Sequence, residues 1–209
     1  MTIELDQSNL RFDNISGLQL ESQAYHDVSQ ALVDTFTTNG AAKFGLSCSV
    51  FAKYAEDQEY LRGVLWAAAY DREDIQFKLP NEIYKYTGNL TNVDGTNNST
   101  SVVTNAEVVA GSNIFTLSAT RRPDANGIKQ GTMISFGTNP QLYVVNQYTA
   151  SSGEVKVFPK VRETIAANTP INITNIQLRA YITNNPNAEA IPGNDQFVRF
   201  DLELSERIV

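Results

Sequence analysis

The chain has 209 residues, 42% hydrophobic and 19% charged, with a net charge of -7 and an isoelectric point near 4.7. These are globular values, enough for one large or two small domains, and the acidity argues against free nucleic acid as a partner. A single cysteine, Cys48, excludes an intrachain disulfide, and one cysteine with one histidine, His26, cannot make a three-ligand zinc site unaided.

The opening residues, MTIELDQSNLRF, have neither the basic cluster nor the apolar core of a signal peptide. No apolar run approaches the roughly 18 residues of a membrane helix. The expectation is a protein made in the cytoplasm, with no membrane partner. Across residues 1–40, short apolar pairs at period 2 (Ile3 and Leu5, Leu10 and Phe12, Leu18 and Leu20) predict short strands. Gln23 to Asp34 fits two periods. Ala24, Val28, Ala31 and Leu32 lie on one side of a helix, whereas Tyr25, Val28, Leu32 and Phe36 leave a strand open. The β-branched run from Val33 to Thr38 favours strand plus loop.

Phe44 to Tyr54 predicts a half-buried strand, with Phe44, Leu46, Cys48 and Val50 alternating against Gly45, Ser47, Ser49 and Phe51. Its apolar flanks make Cys48 a buried, inert thiol. Glu56 to Tyr70 predicts a helix. Tyr60, Leu61, Val64, Leu65 and Ala68 form its apolar face, with Trp66 at the edge. Glu56, Asp57 and Glu59 sit in the first turn, where carboxylates oppose the positive helix end. Asp71-Arg72-Glu73-Asp74 closes it as a solvated acidic end paired with Arg72, and Ile75 to Pro80 returns as a strand.

Tyr84 to Thr104 is rich in Asn, Thr, Gly and Ser and reads as an exposed crossing. Its sequons at Asn89 and Asn98 come without a secretory signal and are discounted. Strand-like spacing resumes around Val108, Val109, Ile114, Phe115 and Leu117. Then come four short apolar runs: Ile134 to Phe136, Leu142 to Val145, Val155 to Phe158, and Ile171 to Ile173. Turn signals at Gly137 with Asn139-Pro140, at Ser151-Ser152-Gly153 and at Asn168-Thr169-Pro170 separate them, as in a small barrel or sandwich. Gln177 to Ile182 predicts a strand, Asn184 to Asn194 a loop, and Gln196 to Glu206 a terminal strand.

No residue emerges as catalytic, cofactor-binding or metal-binding. His26 has no Gly-x-Ser-x-Gly elbow beside it. Asp71, Glu73 and Asp74 lack the Asp-x-Asp-x-Asp-Gly pattern of a calcium loop, and no Gly-rich phosphate loop is present. Arg121-Arg122-Pro123 reads as a small basic patch on an exposed loop. Four tyrosines, Tyr84, Tyr86, Tyr143 and Tyr148, are the candidates for stacking on a sugar if the chain is a carbohydrate- or receptor-binding module, although most of them are expected to pack in cores or interfaces.

One pattern points further. Gly131-x-x-Ile134-x-Phe136-Gly137 precedes Tyr143-Val144-Val145, then Gly153-x-Val155-x-Val157-x-Pro159, then Arg162 and Ile165-x-x-Asn168-x-x-Ile171. This order resembles the C-terminal part of distal-tail-type proteins of tailed bacteriophages. The strand, acidic helix and strand ending in Phe77-x-Leu79-Pro80 are similar to the same family. The resemblance implies that the last strand rejoins the N-terminal sheet. The expected fold is mainly β with one α-helix. A discontinuous β-sandwich domain with the helix (1–84 and 177–209) then carries an inserted small OB-like β-barrel (85–176).

Charge divides along the same lines. Residues 85–176 hold 7 basic and 5 acidic side chains, a net of +2, and the remainder holds 9 and 18, a net of -9. The resemblance further implies a virion structural protein, not an enzyme and without cofactors. It would form a homo-hexamer ring between the tail tube and the hub or baseplate proteins, with DNA crossing its lumen only transiently.

Overall fold

A computed structural model of the chain describes residues 2–4, 10–16, 19–21, 24–28, 34–38, 42–79, 102–119, 122–124, 127–173, 176–186, 188–191 and 194–208. The fold is mainly β, with two largely antiparallel sheets and a single α-helix among these residues. The chain divides into two compact units. A two-piece unit comprises Met1–Phe77 and Arg179–Val209, and an inserted unit comprises Lys78–Leu178.

The two-piece unit is built on an eight-stranded sheet. Its long central strands are β6 (Lys43–Ala52) and β15 (Asn194–Glu206), antiparallel from Gly45↔Ser205 to Ala52↔Val198. On the far side of β6 lie β2 (Arg11–Asp13) and β3 (Gln19–Glu21), each pairing with a different stretch of it. On the far side of β15 lie β13 (Gln177–Ile182) and β14 (Ala188–Ile191). Beyond β13 come β7 (Asp74–Lys78) and β1 (Thr2–Glu4), the last two parallel. A separate hairpin, β4 (Ala24–Val28) with β5 (Asp34–Thr38), forms a two-stranded sheet of its own.

The β6 sequence predicted one buried face, yet Gly45 and Ser49 are buried opposite Phe44, Leu46, Cys48 and Val50. Ser49 tolerates this because its hydroxyl donates to Asp201 Oδ1 at 2.6 Å. With one face covered and the other partly so, leaving Ser47 exposed, β6 sits as an inner strand of a sandwich does. The loop expected from Asn184 to Asn194 contains β14, whose Ala188-Glu189-Ala190-Ile191 run is hidden by flanking Pro and Asn residues.

Helix α1 (Ala55–Asp71) packs against β6. It buries Leu61, Leu65 and Ala68, a narrower stripe than its sequence suggested. Val64 is only partly buried, and Tyr60 and Trp66 are exposed. Glu56 and Asp57 occupy the first turn, where carboxylates favour the helix dipole. The helix ends on Arg72 in the left-handed region at φ 53°.

The inserted unit has a five-stranded antiparallel sheet. In chain order its strands are β8 (Ile114–Thr116), β9 (Met133–Phe136), β10 (Tyr143–Thr149), β11 (Glu154–Phe158) and β12 (Ile171–Asn172). They lie in the order β12-β9-β10-β11-β8. β11 alternates strictly, with Val155 and Val157 inward and Glu154, Lys156 and Phe158 outward. The expected closed barrel is not made by strand pairing, because the edge strands β12 and β8 do not pair with each other. Residues 102–105 instead reach both edges. Ile171 N–H donates to Val102 O at 2.8 Å, and Ser118 N–H donates to Val103 O at 2.9 Å. The core centres on Phe115, Phe136 and Tyr143, with successive ring centroids 5.2 and 5.3 Å apart in edge-to-face contact.

Candidate functional site

The residues weighed for chemistry are scattered. His26 lies on β4, opposite Phe36 of β5. Cys48 is buried in β6, where burial and the nearby Asp201 carboxylate push its thiol up to about 12. That thiol stays protonated in the native protein while an unfolded one, with a pKa of ~8.5, ionises. Its contribution to stability is therefore complete below ~8.5 and is lost as the pH rises towards the folded value. We expect Cys48 in the folded protein to be silent to a thiol reagent such as 5,5′-dithiobis(2-nitrobenzoate) at pH 8, and fully reactive in urea. Rapid labelling of the native protein would place the thiol at the surface.

The acidic run at the helix end divides: Asp71 and Arg72 are exposed and Glu73 half-buried, as expected of a solvated end, but Asp74 is not. Asp74 is buried at the start of β7 and is bound not by Arg72 but by Arg179 and Arg207. Arg179 Nε and Nη2 both reach Asp74 Oδ2, at 2.9 and 2.7 Å, and Arg207 Nε lies 3.5 Å from Oδ1. The three residues tie β7, β13 and the residue just beyond β15 together, which is a structural task. Among the described residues, no group of three or more His, Cys, Asp or Glu side chains is gathered as a metal site requires. A second charged cluster lies on β15. Arg199 binds Asp201 in bidentate fashion at 2.8 and 2.7 Å and, with the Ser49 hydroxyl, holds that carboxyl below the usual range against a smaller opposing effect of burial.

The basic loop is clasped rather than free. Pro123 is buried and Arg122 half-buried, and the Tyr148 hydroxyl donates to Pro123 O. Burial raises the Tyr148 hydroxyl to about 12. Tyr143 is fully buried. Its hydroxyl donates to Gln141 Oε1 at 3.0 Å and accepts from Arg162 N–H at 3.2 Å, and the Arg162 guanidinium lies 5.8 Å from its ring centre. Tyr143 offers no ring face for stacking on a sugar, and Tyr148 is half-buried against the core. Tyr84, Tyr86, Arg121 and the sequons at Asn89 and Asn98 lie outside the described residues.

Among the described residues, the exposed aromatics are Phe158 on β11 and a group at the start of α1 and along it. Tyr54 is 59% exposed, Trp66 52% and Tyr70 90%. Trp66 and Tyr70 are one helical turn apart, and the Arg62 guanidinium lies over the Trp66 ring at 5.8 Å. The indole N–H donates to Pro186 O at 3.3 Å, which anchors the ring. Sequence reasoning placed Trp66 at the edge of the apolar face and passed over Tyr70. The i, i+4 spacing of Trp66 and Tyr70, opposite Leu61, Leu65 and Ala68, was the available signal. A rigid aromatic stripe next to an arginine has the composition of a protein-contact surface.

No protein-family model matches the chain, and no curated protein sequence matches it.

Proposed function

We propose that this protein is a structural subunit of a phage tail end, a homo-hexamer ring that connects the tail tube to the hub or baseplate. The observation that carries this reading is the hairpin β4–β5. It belongs to neither large sheet, and a lone two-stranded hairpin is at best marginally stable in water. A neighbouring copy in a ring supplies the surface that such an arm needs, through a heterologous interface that closes by rotation. The exposed stripe of Trp66 and Tyr70 adds contact area. The motif order running from Gly131 to Ile171 and the unit inserted between β7 and β13 agree with the distal-tail-type resemblance. The acidic excess outside residues 85–176 suits a lumen that DNA crosses without adhering, since like charge repels it.

Within this reading the inserted unit is an OB-like barrel. Residues 102–105, hydrogen-bonded to both sheet edges, support it by acting as the closing segment. Size-exclusion chromatography with light scattering tests the assembly. A ring-sized oligomer is expected for the full chain. A variant with residues 24–38 replaced by a short Gly-Ser linker is expected to run as a monomer with its β spectrum kept. A full chain that stays monomeric at every concentration, or that electron microscopy places on peripheral fibres, removes the adaptor reading.

A further inference from the structure

The inserted unit carries a groove of about 560 Å³ beside the β9–β10 turn. That volume is within the range of small-molecule sites. Phe136 and Ile165, both buried, and the half-buried Asn172 are part of its lining. One wall is the turn with Gly137, Thr138 and Asn139, and the other is the segment from Glu163 to Ala166, with Thr169 and Pro170 at the end.

The walls are held in place before any ligand arrives. Gly137 takes φ +53° while its N–H donates to Pro170 O at 2.7 Å, and a Cβ there would press on the Thr169 methyl at 3.2 Å. Asn172 Nδ2 donates to Gly137 O at 2.7 Å and to Ser135 Oγ at 3.2 Å. Asn139 is fixed at both ends. Its Oδ1 accepts from Gln141 N–H at 2.9 Å, and its Nδ2 donates to Glu163 Oε1 across the groove mouth. The Thr164 hydroxyl accepts from Ala110 N–H at 3.3 Å and keeps its own hydrogen to donate.

Left for a ligand, among the described residues, are Glu163 Oε2, the Thr138 hydroxyl, the Thr164 O–H and Asn172 Oδ1. These groups are chiefly acceptors and hydroxyls, so they call for a ligand rich in O–H donors. The one charge is negative, which disfavours phosphate and carboxylate ligands. A lone carboxylate falls far short of the six to eight oxygens that a calcium ion takes. The edge of β12 is already met by Val102, so no strand of a peptide can pair there. Ala166, Pro170 and the Thr169 methyl offer the small apolar surface that the C–H face of a pyranose covers.

We propose that this groove is a binding site for neutral carbohydrate, with Glu163, held in place by Asn139, and the Thr138 hydroxyl as the groups that meet adjacent sugar hydroxyls. The site lies within the inserted unit alone and neither requires nor excludes a ring. Without an exposed ring face to stack on, binding is weak and rests on hydrogen bonds, so amide chemical-shift titration of the full-length ¹⁵N-labelled protein is the matching test. The probes are maltose, chitobiose and, as an anionic control, glucose 6-phosphate. Saturable shifts are expected at Thr138, Asn139, Glu163 and Thr164 with at least one neutral disaccharide and none with the phosphate. Glu163 and Thr138 are exposed, so Glu163→Ala and Thr138→Ala should leave the rest of the spectrum unchanged. Glu163→Ala should weaken binding at least tenfold. No saturable shift at these amides with either disaccharide overturns the proposal. So do shifts concentrated at Trp66 and Tyr70, or a Glu163→Ala protein that binds as well as the parent.

Discussion

Replacing Phe200 by alanine is expected to destabilise the two-piece unit by about 3–5 kcal/mol. Phe200 sits in β15 with no exposed surface, opposite Val50 of β6 on one side and Ala188 of β14 on the other. Val50 and Ala52 on β6 are equally shut off from water. Paired strands on both sides limit how far the backbone can collapse into the space left behind, which puts the cost towards the upper end of the cavity range. Trp66, the one tryptophan in the chain, belongs to the same unit, so its fluorescence during urea unfolding reads this unit directly. The midpoint should fall with the slope unchanged. A midpoint equal to the parent's would mean that β15 does not lie against β6 in this register.

Leu65→Ala should cost about 2–5 kcal/mol in the same measurement. Leu65 is fully buried and shares its stripe with only Leu61 and Ala68. The stripe is narrow, so each of its large side chains carries a large share of the attachment of α1 to the sheet. The exposed face provides the control. Tyr70→Ala removes a larger side chain that is 90% exposed, and within one subunit it should shift the midpoint by no more than about 0.5 kcal/mol. Equal losses from the two variants would show that the helix is turned about its axis from the orientation described here.

Where one physical signal dominated, the sequence was easy to read. Val155 and Val157 alternate with Glu154 and Lys156, and β11 follows that pattern residue by residue. The helix was legible from its 3.6-residue period and acidic first turn, although Tyr60 and Val64 look apolar on paper and are not fully covered. Residues whose chemistry suits two environments misled. Ser49 reads as solvent-facing until its hydroxyl finds Asp201 across the sheet. Asp74 reads as one of a run of solvated charges until Arg179, more than a hundred residues later in the chain, folds back onto it. Tyr143 was expected in a core or interface in spite of its polar hydroxyl, and it is, but the Arg162 N–H that helps satisfy that hydroxyl could not be read locally. In each case the partner is distant or unpredictable in sequence, so local pattern could not supply it. The groove was missed for the same reason, because Asn139 and Glu163 belong to different loops.

The pairing of β6 with β15 also decides when the molecule can fold during synthesis. Cys48 lies opposite Leu202, so the central ladder joins residues that leave the ribosome on opposite sides of the whole inserted unit. At about 5–20 residues per second, β6 and α1 wait on the order of ten seconds for the strand that completes their sheet. During that interval the apolar side chains of Leu61, Leu65, Leu46 and Val50 lack much of their cover. The inserted unit, whose described strands span 114–172, needs no such wait. The nascent chain therefore acquires its middle first and its framework last, and the framework's interior is what a chaperone would have to shield.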